Sequence, residues 1–172
     1  MVATSGAQEA PSRHAVIAIP TPVGPLRVVA DDEAVRVVHF VGRGEPPLRT
    51  ARDASAKACR LAQRAADELE EYFAGKRADF TVPAAPRGTP FQERVWKALG
   101  TIPFGETTSY GAIAKKIGRP TAARAIGGAN NKNPAAVIVP CHRVIGADGA
   151  LVGYGGGLDK KRWLLAHEAR AR

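Results

Sequence analysis

The chain has 172 residues, 45% of them apolar, enough for one ordinary domain or two small lobes and unlike a disordered or collagen-like chain. No apolar run reaches the roughly 20 residues that span a bilayer, and residues 1–13 are small and polar without a signal-peptide core; a disordered tail and a cytoplasmic protein are expected. Net charge is +9, but residues 1–86 hold eleven Lys/Arg against eleven Asp/Glu, while residues 87–172 hold fourteen against five. A one-sided basic half suits a polyanionic partner, though a solvated basic surface that aids solubility explains it equally well.

In chain order, residues 16–19, 26–30 and 35–40 are short β-branched runs separated by Gly, Pro and Asp, the pattern of an antiparallel meander. A helix is predicted over 53–73, with Leu61, Ala65, Leu69 and Phe73 as its apolar stripe and Gly75 beyond its end. Cys59, among alanines in this helix, reads as a small buried hydrophobe. The meander and helix make a lobe over 14–82. The Pro-rich stretch 83–88 reads as a linker, and 89–172 as a second, mostly helical lobe, giving an α+β chain of two lobes.

The second lobe opens on a capping box, with Thr89 as N-cap, Pro90 in the first turn and Gln92 three residues on; Phe91, Val95 and Leu99 form the stripe. Short helices over 109–117 and from Thr121 to about 129, broken by Gly118-Arg119-Pro120, have the form of a helix-turn-helix. The second of these carries Ala122, Ala123, Ala125, Gly127, Gly128 and Ala129 around one large cation, Arg124. Such a face suits close approach to a sugar-phosphate wall rather than reading of major-groove bases. It suits close helix packing as well, with Arg124 an ordinary surface charge.

After Asn133-Pro134, a buried strand is predicted over 136–139, leading into Pro140-Cys141-His142-Arg143-Val144. Strand-to-turn junctions of this kind display nucleophiles. Asp148-Gly149 reads as a tight turn, residues 153–157 as a Gly-rich loop able to approach a ligand, and Asp159 as the cap of a last helix over 160–169, anchored by Trp163 and Leu164. Two cysteines and four histidines have no zinc-finger spacing, so no structural metal is expected and both thiols should be reduced.

A free cysteine is only about 3% thiolate at pH 7, and the thiolate is the nucleophile. His142 could act as its base across a turn or through a water, and Glu168 is the carboxylate best placed to fix its tautomer. A Cys-His dipeptide alone also fits core packing, a metal fragment or a cysteine hydrolase. Beside a Gly-rich loop and after a basic helix-turn-helix, it points to a nucleophile that acts on nucleic acid, with its sulfur ionised.

The heptapeptide Pro140-Cys141-His142-Arg143-Val144-Ile145-Gly146 resembles the active-site signature of the methylated-DNA–protein-cysteine methyltransferases, or O6-alkylguanine-DNA alkyltransferases. The resemblance extends from Thr89-Pro90-Phe91-Gln92 through Ser109-Tyr110, Ala122-Ala123-Arg124-Ala125, Asn133-Pro134 and Tyr154 to Leu165-Ala166-His167-Glu168, and includes Glu71-Tyr72-Phe73-Ala74-Gly75. It implies a ribonuclease H-like N-terminal lobe and irreversible, single-turnover transfer of an alkyl group from O6-alkylguanine, and from O4-alkylthymine, to Cys141. His142 would be the base through water, with Glu168 orienting it. Tyr110 would contact the flipped nucleotide and donate toward the guanine ring, and Asn133 would tie the recognition helix to the active-site segment. The resemblance also implies a monomer on double-stranded DNA, bound through the minor groove by Thr121, Ala123, Ala125, Gly127 and Tyr110, with Arg124 as the finger that fills the vacated stack. Pro140, Val144, Tyr154 and Gly155 would form the edge that reads the base. No cofactor or membrane is implied. The zinc site of some relatives lacks its cysteines here, and Ala136 replaces a pocket proline.

Overall fold

The computed structural model describes residues 13–171, so most of the expected tail lies outside the described residues. The three β-branched runs form strands β1 (Ala15–Ile19), β2 (Leu26–Ala30) and β3 (Val35–Phe40), in an antiparallel sheet of order β1-β2-β3. All five residues of β2 are buried, because the sheet packs under helix α1 (Ala56–Phe73). α1 is capped by Ser55, whose side chain accepts from the Ala58 amide, and starts at Ala56, three residues later than predicted. The buried face of α1 is Ala58, Ala62, Ala65, Ala66, Leu69 and Tyr72, and the small alanines let the helix lie close on the sheet. Leu61 and Phe73 only flank this face. The shifted phase corrects the reading of Cys59, which lies one position off the buried Ala58 and is exposed.

The free edge of β3 is covered twice. Val35 donates to the Pro83 carbonyl and accepts from the Ala85 amide, so the expected linker runs along the sheet as extra backbone. Further along, Val38 donates to Pro134 O and accepts from Ala136 N, both at 2.8 Å. The N-terminal sheet therefore holds the chain just ahead of Cys141.

Helix α2 (Pro90–Leu99) has the predicted capping box. Its Trp96 donates to Ala129 O and packs so closely on Gly88 that a Cβ there would lie 2.5 Å from the indole. Strand β4 (Thr108–Ser109) leads into α3 (Tyr110–Lys116), and α4 (Ala123–Asn131) packs against both α2 and α3. α4 begins two residues after Thr121, because a turn closed by Ala122 N–H on Arg119 O occupies 119–122.

The predicted strand over 136–139 is instead a tight reversal. Only Ala135 bridges to Val38, Val137 sits at φ +71°, and Val139 donates back to Ala135 O. A left-handed β-branched residue costs about 1–3 kcal/mol and persists only when its surroundings impose it. A 3-10 turn, Cys141–Arg143, follows, then β5 (Val144–Ile145), which pairs in parallel with β4. Helix α5 (Leu158–Arg170) is entered through Gly157 at φ +98°, not capped by Asp159, which is exposed in the first turn where its charge suits the helix dipole. Leu164 is fully buried as expected, and Trp163 stacks on His167.

Candidate active site

Cys141 opens the 3-10 turn at the meeting of the two lobes, rather than ending a strand. Its amide donates to Val139 O, and its carbonyl accepts from Asn130 Nδ2 at 3.2 Å. Burial pushes the thiol up to about 11, outweighing an Asn133 side-chain hydrogen bond and the Lys161 charge, both of which favour the thiolate. The resting sulfur is therefore neutral at physiological pH, not ionised as the sequence reading required. Although the residue is only 3% exposed, it lines a cavity of about 250 Å³ together with Asn130, Ala136 and Tyr154.

His142 is fully buried, and its Nε2 lies 2.7 Å from Glu168 Oε1. A nitrogen facing a carboxylate carries the proton, which leaves Nδ1 as a bare lone pair; that atom is buried and has no partner among the described residues. Burial lowers the His142 pKa against the raising effect of Glu168, so the ring rests neutral, as a base must. Burial would raise Glu168, but hydrogen bonds from His142 and Arg143 outweigh it and hold the carboxyl well below its usual range. Arg143 binds Glu168 through Nε at 2.9 Å and Nη2 at 2.9 Å, and reaches Ile102 O through Nη1. Tyr72, from α1, donates to Glu168 Oε1 at 2.8 Å, and the Gly105 amide to Oε2 at 3.0 Å.

A neutral thiol in a cavity, followed in the same 3-10 turn by a neutral imidazole that has a free lone pair and a fixed carboxylate partner, is equipped to lose a proton through a water as it attacks an electrophile. Residues 90–170 match the family model for the 6-O-methylguanine DNA methyltransferase DNA-binding domain, and residues 16–86 match the model for its ribonuclease-like domain. A methylated-DNA–protein-cysteine methyltransferase of Methanosarcina acetivorans is 49% identical over 86% of this chain and 94% of its own length. One from Mycobacterium tuberculosis is 50% identical over 87% of this chain and 89% of its own. The chain belongs to the methylated-DNA–protein-cysteine methyltransferase family. The crystal structure of the Mycobacterium tuberculosis O6-methylguanine methyltransferase superimposes with a TM-score of 0.80, at 46% identity, covering 92% of this chain and 94% of that one. A second structure of the mycobacterial protein, in complex with DNA, gives 0.79 at 46% identity over the same shares of the two chains.

In this methyltransferase Cys141, Asn133, Tyr154 and Gly155 line one cavity, and His142, the residue after Cys141, pairs with Glu168. Asn133 donates to Val139 O and accepts from Ala135 N, so the turn after α4 is tied to the segment before Cys141. Tyr110, the first residue of α3, is half-buried. Its hydroxyl donates to Val152 O at 2.8 Å, and its ring lies 3.9 Å from where a Cβ on Gly127 would sit. Arg124 and Ala125 are exposed and Ala123 half-buried on α4, with Thr121 exposed ahead of it. Pro140 and Val144 do not line the cavity at Cys141: Pro140 faces a groove between the lobes, and the Val144 carbonyl is bound by Lys161.

Sequence reasoning missed four residues of this methyltransferase site. Lys161 reads as one of many surface cations, yet it is fully buried and spans Val144 O, Val152 O and Gly153 O at 2.6, 2.9 and 3.2 Å. It pins the Gly-rich loop to β5. Tyr72 and Arg143 sit inside motifs that carry the resemblance, but their bonds to Glu168 exist only across the fold. Asn130 has a helical neighbourhood of small residues, and nothing in its spacing marks it. The N-terminal lobe contributes too: His39, Phe40 and Glu45 line the cavity together with Tyr154. Among the described residues no group of three His, Cys, Asp or Glu side chains could hold a metal, and no helix is long and apolar enough to cross a membrane.

Proposed function

We propose that this protein repairs DNA by direct reversal, taking the alkyl group of O6-alkylguanine, and of O4-alkylthymine, onto Cys141. The Cys141 sulfur attacks the alkyl carbon in line with the bond to O6. The C–S bond forms as the C–O6 bond breaks, and the electron pair of the latter passes into the guanine ring. The thiol proton passes through a water to His142 Nδ1, and the leaving purine ends with a proton in place of its alkyl group. Glu168 holds the Nε2 proton in place and stabilises the imidazolium as it forms. Tyr110 donates toward the ring as charge develops, exchanging its bond to Val152 O for one to the purine.

The target carbon is inaccessible in a stacked duplex, so the nucleotide is extruded at a cost of a few kcal/mol. The Ala/Gly face of α4, with Thr121 ahead of it, enters the minor groove of double-stranded DNA, and exposed Arg124 fills the space the base leaves. These contacts are independent of sequence, as repair of scattered lesions requires. A thioether cannot return its carbon, and no residue here regenerates the thiol, so each molecule, a cytoplasmic monomer without cofactor, acts once.

The observation that carries this reading is a cavity-lining Cys141 thiol followed, in the same 3-10 turn, by His142, whose Nε2 is held by Glu168 while its Nδ1 has no partner among the described residues. After incubation with a duplex containing O6-methylguanine, the peptide containing Cys141 should gain the mass of one methyl group, in a yield that never exceeds one per protein. An unmodified Cys141 alongside intact lesion binding would make the protein a damage sensor instead.

A further inference from the structure

Three buried side-chain atoms lack a partner among the described residues: His142 Nδ1, Asn130 Oδ1 and Tyr154 Oη. Proton transfer uses the first. The other two have no role in moving a methyl group, yet both residues line the cavity that holds Cys141, with 2% and 9% of their surface exposed. The orientation of the Asn130 amide is fixed by chemistry. Its Nδ2 faces the Cys141 carbonyl, which only accepts, so the atom left unpaired is Oδ1, a pure acceptor. Tyr154 supplies a hydroxyl that can donate. Gly156 lies between the Tyr154 and Phe40 rings, where a Cβ would meet them at 2.8 and 2.9 Å, so the tyrosine has little freedom to turn its hydroxyl toward solvent.

Buried polar atoms are destabilising when unpaired and seek a partner. Neither atom has a protein partner among the described residues, so a substituent on guanine O6 that enters the cavity can supply one. A saturated chain leaves Oδ1 and Oη unpaired. A hydroxyl serves both, because it can donate to Asn130 Oδ1 and accept from Tyr154 Oη. A carboxylate could accept from Tyr154 but would oppose Oδ1 and stand near Glu45 at the cavity wall.

We infer that the cavity selects O6-adducts ending in a hydroxyl, 2-hydroxyethyl being the smallest, over saturated chains of the same length. This rests on the alkyl-transfer reading, and the bonds made and broken are those of methyl transfer. The test compares O6-(2-hydroxyethyl)guanine with O6-propylguanine, which differ by a hydroxyl in place of the terminal methyl, in the same duplex, with O6-methylguanine as reference. Each rate is divided by that of a small thiol with the same adduct to remove intrinsic reactivity. The corrected rate for hydroxyethyl should exceed that for propyl at least tenfold, and Tyr154→Phe and Asn130→Ala should each narrow the ratio. Normal methyl transfer with a corrected ratio near one would overturn this inference and leave alkyl transfer standing. So would an equal slowing of all three substrates in both variants, which would assign the two atoms to the purine itself. Failure of methyl transfer in the wild-type protein would remove both.

Discussion

At the scale of single residues, reactivity is decided by how burial acts on neighbouring groups. Desolvation lifts Cys141 to about 11 and depresses His142, so proton and charge stay apart until a substrate arrives. Below its pKa, the thiolate fraction of a cysteine rises about tenfold per pH unit. Iodoacetamide labelling of Cys141 in a Cys59→Ser background should therefore keep accelerating through pH 8, 9 and 10; a plateau near neutrality would contradict a neutral resting thiol. Glu168 shifts the other way. Its folded pKa lies below the ordinary carboxylate value of 4.5, so its stabilisation is present above that pH and is lost as pH falls toward the folded value. Glu168→Gln leaves buried Arg143 unpaired and should cost about 3–5 kcal/mol at pH 7. Urea unfolding of variant and wild type should differ by that much at neutrality, and the gap should narrow on acidification.

At the scale of elements, the active-site segment is placed by backbone. β4 pairs with β5 and runs straight into α3, so one short ladder joins Tyr110 to the turn containing Cys141. On the other side, β3 grips residues 134–136 through two 2.8 Å hydrogen bonds. The second needs an N–H at Ala136, which proline lacks. Ala136→Pro should therefore destabilise the protein by about 1–3 kcal/mol, read as a lower midpoint in urea, and hydrogen exchange should speed up at the neighbouring Val38 and Val139 amides. Unchanged exchange there would mean that the clamp on β3 does not hold the segment. The capping box of α2 and the meander were legible in the sequence because caps and turns act over three or four residues. The reversal at 135–139 was not: Ala-Ala-Val-Ile-Val has the composition of a strand, and only the demand of the β3 edge folds it back.

At the scale of the whole molecule, the two lobes are not scaffold and machine. Tyr72 from α1 completes the Glu168 cluster, His167 binds the Tyr72 carbonyl at 2.7 Å, and the Tyr72, Phe73, Phe80, Phe104 and Trp163 rings seal the joint around it. The excess positive charge of the second half bears on association over longer range. Phosphate contacts release counterions, so affinity for duplex DNA should fall linearly in log–log form with salt, by about 0.9 in slope per phosphate neutralised. A filter-binding or anisotropy series over salt concentration checks this, and an affinity indifferent to salt would remove the basic face from recognition.

The sequence by itself determined the three strands of the meander and most helices, the heptapeptide around Cys141, the pairing of His142 with Glu168 and the family. Each is written in residues close together or in a motif long enough to be specific. Only the tertiary structure decided the protonation of the sulfur, the burial of Lys161, the reach of Tyr72 into the site and the exposure of Cys59. Those depend on how much water surrounds a group and on which distant atoms replace it, and both quantities exist only once the lobes close on one another.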